Sequence, residues 1–248
     1  MGLSEAQQSR YSRQIQLTDI GLEGQQRLTQ SHAVIFGLGG LGSPAALYLA
    51  AAGIGTLTLV DFDQVDDSNL QRQVIHCESR IGQDKVASAK ASLQALNHFT
   101  EIHTVSEKLS EDAMASLITQ ADIVLDCTDN FETRYALNRQ CRRNRIPLVS
   151  AAAIRWEGQL TTYDFRQPNS PCYQCLYKEE QGQELTCRQN GVLAPVVGMI
   201  GSMQAIEAIK VLLNLPTLVG KLMIMDARTM QFRTLNLPKD PDCKTCRQ

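Results

Sequence analysis

A glycine-rich turn, followed by acidic and basic side chains, carries the clearest chemistry in this 248-residue sequence. The turn reads GLGGLG at residues 37–42, between a predicted strand and a predicted helix. Glycines at this spacing permit a tight turn and let phosphates approach the backbone, and the N-terminus of the helix favours anions. The pattern predicts a nucleotide site that includes Gly37, Gly39, Gly40 and Gly42. The alternative is a glycine turn without a ligand, and the motif alone would favour NAD.

Two carboxylates follow the next predicted strand. Asp61 lies at the end of that strand, about 20 residues after the turn, where a carboxylate can accept hydrogen bonds from ribose hydroxyls. Asp63 belongs to the same acidic strand end and is assigned to the same site.

Arg72 and Lys85 add positive charge that a dinucleotide would not need. A triphosphate carries more charge than the pyrophosphate of NAD, and displacement at its α-phosphorus requires that charge to be neutralised. These cations therefore favour ATP chemistry, and the alternative is a solvated surface pair. The segment before Lys85 contributes Ser68, Asn69, Leu70, Gln71 and Arg72 to the predicted cofactor site.

Asp129 and Asn130 follow another predicted strand, at the edge where open α/β sheets bind ligands. Asp129 could hold Mg²⁺, which takes carboxylate and phosphate oxygens as ligands. Alternatively, Asp129 or Asn130 caps the helix predicted to begin at residue 131.

Two C-x-x-C pairs predict a structural zinc site with four thiolate ligands, Cys172, Cys175, Cys243 and Cys246. Such a metal would fasten the C-terminus to the body of the fold. The alternatives are a redox dithiol and unpaired thiols. Cys187 belongs to neither pair, and Arg188 beside it favours the reactive thiolate, so Cys187 is either a transfer thiol or an idle surface thiol.

The elements that must position these residues alternate between short apolar runs and helical spacing, which is typical of a doubly wound, mainly parallel Rossmann-like sheet. The predicted strands are 33–36, 56–60, 101–105, 122–126 and 147–151, and the predicted helices are 43–52, 85–97, 111–119 and 131–144. An antiparallel extension is predicted from strands 158–165, 220–225 and 231–237, with a buried apolar helix at 192–215. No segment reads as a linker, so a single domain is expected over 1–248, with a nucleotide-binding part at about 30–152.

Composition narrows the class of protein further. The net charge is −2, with 43% hydrophobic and 20% charged residues, which provides no clustered basic surface for nucleic acid. Glu207 and Lys210 inside the apolar helix argue against a membrane span. Eight cysteines without an export signal favour a cytoplasmic protein with reduced or metal-bound thiols.

Taken together, these motifs resemble the bacterial MoeB/ThiF adenylyltransferases, relatives of ubiquitin-activating enzymes. The resemblance also includes Tyr11-x-Arg13-Gln14 and Cys127-Thr128 and extends to Cys246. It implies that ATP adenylates the C-terminal glycine of a small ubiquitin-like sulfur carrier ending in Gly-Gly, with release of pyrophosphate. Residues from about 153 to 248 would bind the carrier and the zinc ion.

The resemblance also implies roles for single residues. Gly40 would approach the nucleotide, Asp61 would hold the ribose, and Asp129 would bind magnesium. Asn69, Arg72 and Lys85 would engage the phosphates. Arg13 would reach the partner subunit's site, which implies a homodimer.

Two branches of the family compete for this chain. The segment around Arg155 resembles the branch that activates the molybdopterin synthase small subunit, and the alternative is the thiamine-pathway carrier. Sulfur would come from a separate donor protein, since no rhodanese-like segment follows Cys246. From other classes, an NAD-dependent oxidoreductase and a zinc-stabilised interaction protein remain alternatives.

Overall fold

The computed structural model describes residues 2–178 and 191–247, and within them eight strands form one sheet. The strands are β1 His32–Phe36, β2 Thr56–Val60, β3 Glu101–Val105, β4 Ile123–Asp126, β5 Leu148–Ile154, β6 Glu157–Tyr163, β7 Lys221–Asp226 and β8 Gln231–Asn236. Their order across the sheet is β3-β2-β1-β4-β5-β6-β7-β8. The first five are parallel, and β6, β7 and β8 continue the sheet antiparallel. The predicted doubly wound sheet and its antiparallel extension are both confirmed.

Helices cover the sheet and connect its strands. They are α1 Glu5–Arg10, α2 Ser12–Ile15, α3 Gly21–Gln30, α4 Gly42–Ala52, α5 Lys85–Leu96, α6 Glu111–Ile118, α7 Phe131–Arg143, α8 Tyr173–Leu176 and α9 Ala194–Leu212. Short 3₁₀ turns occur at Asp67–Asn69 and Glu78–Arg80.

The central strands are buried on both faces, so they read as nearly continuous apolar runs. In β1, Ala33 and Ile35 pack into one core with residues of α4, α5 and α9. Val34 and Phe36 point the other way, into a second core with residues of α6 and α7. This alternation places the helices on the two faces of the sheet and leaves the carboxyl ends of the parallel strands at one edge.

The predicted apolar helix is α9, and it is a core helix that packs along α4. Its length and composition alone would allow it to cross a membrane, but 56% of its apolar stretch is buried inside the fold. The buried Glu207 accepts hydrogen bonds from the Thr162 hydroxyl and the Leu218 N–H, both at 2.8 Å, and pairs with Lys210. Its charge is therefore satisfied within the protein, not exposed to lipid.

The hairpin between β5 and β6 is longer than the predicted strands. Ile154 pairs with Glu157, so Arg155 and Trp156 alone form the turn. Arg155 takes a φ of +54°, a conformation for which Gly or Asn is the usual signal. Because the sequence has neither residue here, it predicted that the strand ends at residue 151, whereas β5 continues to Ile154. Helix α3 was not anticipated from the sequence at all.

Two glycines of α9 offer a matched test of its packing. A methyl group at Gly201 would lie 2.2 Å from the Leu41 carbonyl oxygen and 2.6 Å from Pro44, whereas one at Gly198 would meet nothing within 4 Å. We expect Gly201→Ala to lower the free energy of unfolding by about 1–3 kcal/mol through overpacking. Gly198→Ala should be neutral or stabilising by up to about 1 kcal/mol, because alanine favours the helix. Denaturant unfolding of both variants checks this, and equal effects would contradict the packing described.

Candidate functional site

The glycine turn lies at the switch point of the sheet, between the carboxyl ends of β1 and β4. Gly37 has a φ of +88°, and a Cβ there would lie 2.7 Å from the Cys127 carbonyl oxygen. A Cβ at Gly42 would lie 1.9 Å from the Gly37 carbonyl oxygen. These two positions therefore require glycine for backbone reasons alone. Gly40 faces α9, where Val197 would lie 2.7 Å from a Cβ, and Gly39 has ordinary space around it.

The backbone N–H and the carbonyl oxygen of Leu38, in this turn, are both held by side chains. Its N–H donates to Asp61 Oδ2 at 2.7 Å, and its carbonyl oxygen lies 3.1 Å from His76 Nε2. The other oxygen of Asp61 accepts the Asp63 N–H at 2.9 Å. Burial raises the pKa of Asp61, while the nearby Lys85 and these two N–H donors oppose the rise. Each Asp61 oxygen keeps a lone pair, which a ribose hydroxyl could use.

Lys85 is a buried cation, with only 5% of its surface exposed. It is the first residue of α5, and its Nζ lies 2.8 Å from Asp63 Oδ2. The positive end of the helix dipole disfavours a cation at this position, so the acidic strand end must compensate it. The two predicted residues are thus brought together in one ion pair beside Asp61.

The predicted polar segment 68–73 starts within the 3₁₀ turn Asp67–Asn69 and continues as an irregular turn beside the glycine turn. Arg72 donates to the Ser68 carbonyl oxygen at 3.1 Å and to Asn69 Oδ1 at 3.2 Å. Gln73, which is buried, donates to the same Asn69 oxygen at 3.1 Å and lies next to Gly39. These bonds fix the direction of the Arg72 guanidinium. Leu70 and Gln71 complete the segment without side-chain hydrogen bonds among those described.

At the start of α7 the structure separates two roles that the sequence left open. Asn130 is the N-cap, because its Oδ1 accepts the Thr133 N–H at 2.9 Å. The Asp129 carboxylate is exposed and stands outside the cap. It is thus left at the sheet edge where a ligand would lie.

A buried network that the sequence did not indicate shapes the loop before Asp129. Asp126 accepts hydrogen bonds from Thr128 Oγ1 at 2.7 Å and Ser150 Oγ at 2.9 Å, and it lies 3.9 Å from the Arg134 guanidinium. Arg134 also donates to the carbonyl oxygens of Thr128 and Ala151. An ion pair buried this deeply has no local sequence signal, since its partners come from different elements.

Gln204 of α9 closes the same region from the other side. Its Nε2 donates to the Asp126 carbonyl oxygen at 2.9 Å, and its Oε1 accepts from the Cys127 thiol at 3.4 Å. Burial raises the pKa of Cys127 far above its ordinary value, so this thiol stays neutral. His76 was missed in the sequence because it lies between two polar segments with no motif around it, and Gln204 was missed because it lies in an apolar helix that reads as ordinary core.

Arg13 lies away from the glycine turn of its own chain. Its neighbour Gln14 donates to the Ala52 carbonyl oxygen at 3.1 Å, at the C-terminal end of α4. The turn leads into the other end of this 11-residue helix, about 16 Å away at 1.5 Å per residue. Arg13 is exposed, and within the described residues it has no ion pair.

The four predicted cysteine ligands do come together. Their sulfur atoms lie within 4.8 Å of one another, with Cys172 to Cys243 at 3.5 Å and Cys175 to Cys246 at 3.6 Å. A tetrahedral Zn–S₄ centre with bonds of about 2.3 Å would place sulfur atoms about 3.8 Å apart. The arrangement therefore fits a metal ion.

The surroundings of this cluster act differently on its thiols. Hydrogen bonds from the Cys172 thiol and from the backbone N–H groups of Cys172 and Asp240 lower the pKa of Cys175 to about 5. The hydrogen bond with Cys175 and burial raise the pKa of Cys172, and burial raises the pKa of Cys246, so Cys175 is more acidic than either. Arg142 of α7 donates to the Thr245 and Cys246 carbonyl oxygens at 3.0 and 2.8 Å, which fastens the C-terminal pair to the fold. The remaining predicted thiol, Cys187, lies outside the described residues.

A doubly wound sheet with a phosphate-cradling turn at its switch point and carboxylates at the neighbouring strand ends defines a nucleotide-binding protein. The sequence matches the ThiF family over residues 11–245, and the chain belongs to that family.

Individual relatives agree with this assignment. The chain is 48% identical to the molybdopterin-synthase adenylyltransferase of Haemophilus influenzae, over 95% of this chain and 97% of that protein. It is 47% identical to the Escherichia coli protein of the same name, over 99% of each. The crystal structure of E. coli MccB with ATP has a TM-score of 0.81 at 23% identity, over 96% of this chain and 74% of that chain. At that identity the likeness concerns the fold alone.

His76 makes the stability of this site dependent on pH. Burial lowers its pKa from 6.5 to about 4, and Lys85 and Arg80 add to the effect. Between these values the unfolded chain binds more protons than the native one, so stability falls as the pH drops from 6.5 towards 4, by at most about 1.4 kcal/mol per pH unit for this group.

We expect His76→Gln to remove this part of the pH dependence, because glutamine stays neutral over the same range. The measurement is the free energy of unfolding at pH 7, 6 and 5. The control is His103→Gln, since the side chain of His103 is 54% exposed. A His76→Gln variant that keeps the wild-type slope would show that His76 is not the titrating group.

Proposed function

We propose that this protein is an adenylyltransferase that uses ATP to activate the C-terminal glycine of the small, ubiquitin-like subunit of molybdopterin synthase. The observation that carries the proposal is the buried Lys85, paired with Asp63 beside the glycine turn. It occurs in a chain 48% identical to a molybdopterin-synthase adenylyltransferase. NAD would give no role to this cation, and the relatives compared above favour the molybdopterin synthase carrier over the thiamine-pathway carrier.

The proposed reaction is an in-line displacement. A carboxylate oxygen of the carrier's terminal glycine attacks the α-phosphorus of ATP, the bond to the bridging oxygen of the β-phosphate breaks, and pyrophosphate leaves with the bonding electrons. The product is an acyl adenylate, which a separate sulfur donor protein would then convert. Catalysis of this kind depends on positioning and on neutralising phosphate charge, for which the site offers fixed cations and backbone N–H groups.

Single residues take the following roles in this proposal. The glycine turn, with Gly40, lies against the phosphates, and Asp61 accepts hydrogen bonds from the ribose. Asn69, Arg72 and Lys85 bind the phosphate oxygens, so that Lys85 exchanges its contact with Asp63 for a contact with the nucleotide. Asp129 would hold a magnesium ion, which neutralises phosphate charge when bound.

Arg13 is proposed to act in the site of a second copy of the chain. Its position beside the far end of α4 keeps it from its own glycine turn, and its guanidinium is exposed. Six large apolar side chains between residues 17 and 81 are also exposed, and a partner that covers them in a dimer would account for this. They are Leu17, Leu22, Tyr48, Phe62, Val74 and Ile81. The protein is therefore proposed to be a homodimer with composite sites.

The antiparallel extension is proposed to receive the carrier. β8 is an edge strand with every residue exposed, and Phe232 and Leu235 are 49% exposed each. An open edge with apolar side chains can pair with another sheet or pack against an apolar surface. The part of the chain from about residue 153 to 248 would then combine carrier binding with the cysteine cluster. The protein is proposed to work in the cytoplasm.

The activity is tested by ATP–pyrophosphate exchange with purified carriers. We expect exchange with the molybdopterin synthase small subunit and none with the thiamine-pathway carrier. Lys85→Met should reduce the rate about 100-fold or more, as loss of a charge-stabilising donor does elsewhere. The control is Lys90→Met in the same helix, which should retain activity. Absence of exchange with every carrier, or a near-wild-type Lys85→Met, would refute the proposal.

A mixing experiment tests the composite site. Arg13→Ala and Lys85→Met should each be inactive alone. In a mixed dimer one site would contain both wild-type residues, so random mixing should restore about a quarter of wild-type activity. If Arg13 acts within its own chain, the mixture stays inactive.

Zinc is proposed to occupy the cysteine cluster as a structural ion that fastens the C-terminus. Metal analysis should find one zinc ion per chain and none in Cys243→Ser, which should also unfold at lower temperature. Cys77→Ser, at an exposed thiol outside the cluster, is the control. If the wild-type chain without zinc unfolds at the same temperature as the chain with zinc, the structural role is ruled out.

A further inference from the structure

A cavity of about 630 Å³, separate from the candidate nucleotide site, lies at the end of α7 beside the cysteine cluster. Its lining is dominated by arginines, and Phe165, Gln167, Pro168 and Thr245 complete it. The arginines are Arg139, Arg142, Arg143, Arg145 and Arg166. Neither the nucleotide site nor the proposed reaction uses them.

This cavity is far from the nucleotide site. α7 begins at the carboxyl edge of the sheet, next to Asp129, and its 13 residues span about 20 Å. It therefore ends at the opposite edge. β6 runs antiparallel to β5, so the chain after β6 returns to that same edge and places Arg166 there. Arginines from two separate elements thus converge by topology.

The lining keeps an excess of positive charge. Arg139 pairs with Glu111 at 2.6 Å, and Arg166 pairs with Asp164 at 2.7 Å and also interacts with Asp122. Among the described residues, five guanidinium groups thus face three carboxylates, an excess of two positive charges within that part of the chain. The C-terminal end of α7 contributes only about half a negative charge, so the helix dipole does not cancel this excess.

The arginines divide into those already engaged and those available to a ligand. Arg142 holds the Thr245 and Cys246 carbonyl oxygens, and its guanidinium lies 5.9 Å from the centre of the Phe165 ring. Within the described part of the chain, neither Arg143 nor Arg145 has a carboxylate within 4 Å, although Arg143 interacts at longer range with Glu111, which already pairs with Arg139. These two are the groups from which a bound anion would gain most.

The geometry points to a binding site for a small molecule that carries a diphosphate group. The volume lies within the range of small-molecule sites, about 300–1,000 Å³. Guanidinium groups bind phosphate oxygens in pairs, and at least two phosphate charges are needed to balance the excess. Arg142 covers one face of Phe165 and Tyr163 stacks 6.2 Å from it, so the ring is not free to stack on a nucleobase. Recognition would therefore rest on the phosphates.

Calorimetric titration with inorganic pyrophosphate tests this site. Both proteins carry Lys85→Met, so that binding at the glycine turn is weakened equally, and one also carries Arg143→Gln and Arg145→Gln. We expect the two arginine substitutions to raise the Kd for pyrophosphate tenfold or more, with unchanged thermal unfolding. Orthophosphate should bind more weakly than pyrophosphate. The control is Arg228→Gln with Arg233→Gln, which removes the same charge away from the cavity and should leave the Kd unchanged.

Several results would overturn the assignment. They are absence of pyrophosphate binding in the Lys85→Met protein, an equal Kd with and without Arg143 and Arg145, and an equal loss in the Arg228/Arg233 control. Tighter binding of a short polyglutamate peptide than of pyrophosphate would also overturn it, because the cavity would then prefer an acidic protein segment. None of these outcomes depends on the adenylation activity.

Discussion

The close approach of two backbones at the switch point of the sheet constrains the rest of the site. The chain leaves β1 towards one face and β4 towards the other, so the two strand ends must separate within a few residues. Gly37 makes this possible, because a side chain there would lie 2.7 Å from the Cys127 carbonyl oxygen. The turn is then free to expose backbone N–H groups and the start of α4 to an anion. Asp61 binds the turn directly, and Lys85 lies close to Asp61.

Polar side chains hold the turn in place from several elements. Asp61 binds the Leu38 N–H and His76 binds the Leu38 carbonyl oxygen. Gln204 binds the carbonyl oxygen of Asp126, at the end of β4. The neutral state of His76 matters here, since a protonated ring would add charge beside Lys85. The neighbouring Lys85 is buried at the N-terminus of α5, a position that is unfavourable for a cation without nearby carboxylates. A polyphosphate bound at this position would replace some of that compensation.

Helix α7 connects the nucleotide edge to the cysteine cluster. Its first turn places Asp129 outside the cap, and Arg134 on the same helix binds the buried Asp126. At its other end, Arg142 holds the backbone of the C-terminal cysteine pair. A metal at the cluster would therefore also stabilise the helix that presents Asp129. The cluster lies far from the glycine turn, yet the cluster and Asp129 both depend on the same helix.

The sequence alone determined the eight strands in their order along the chain, five of the helices, the glycine turn and the two cysteine pairs, because each rests on local periodicity or on short spacing. It also indicated Asp61, at the end of a predicted strand, and Lys85, at the start of a predicted helix, and both positions are local features. Tertiary structure decided what no local pattern encodes. It paired Lys85 with Asp63, made Asn130 rather than Asp129 the cap, and buried Asp126 against Arg134. It also brought four sulfur atoms within 4.8 Å. The cap is a local contact between Asn130 and Thr133, but the other contacts join residues of different elements, so only the packing of those elements brings them together.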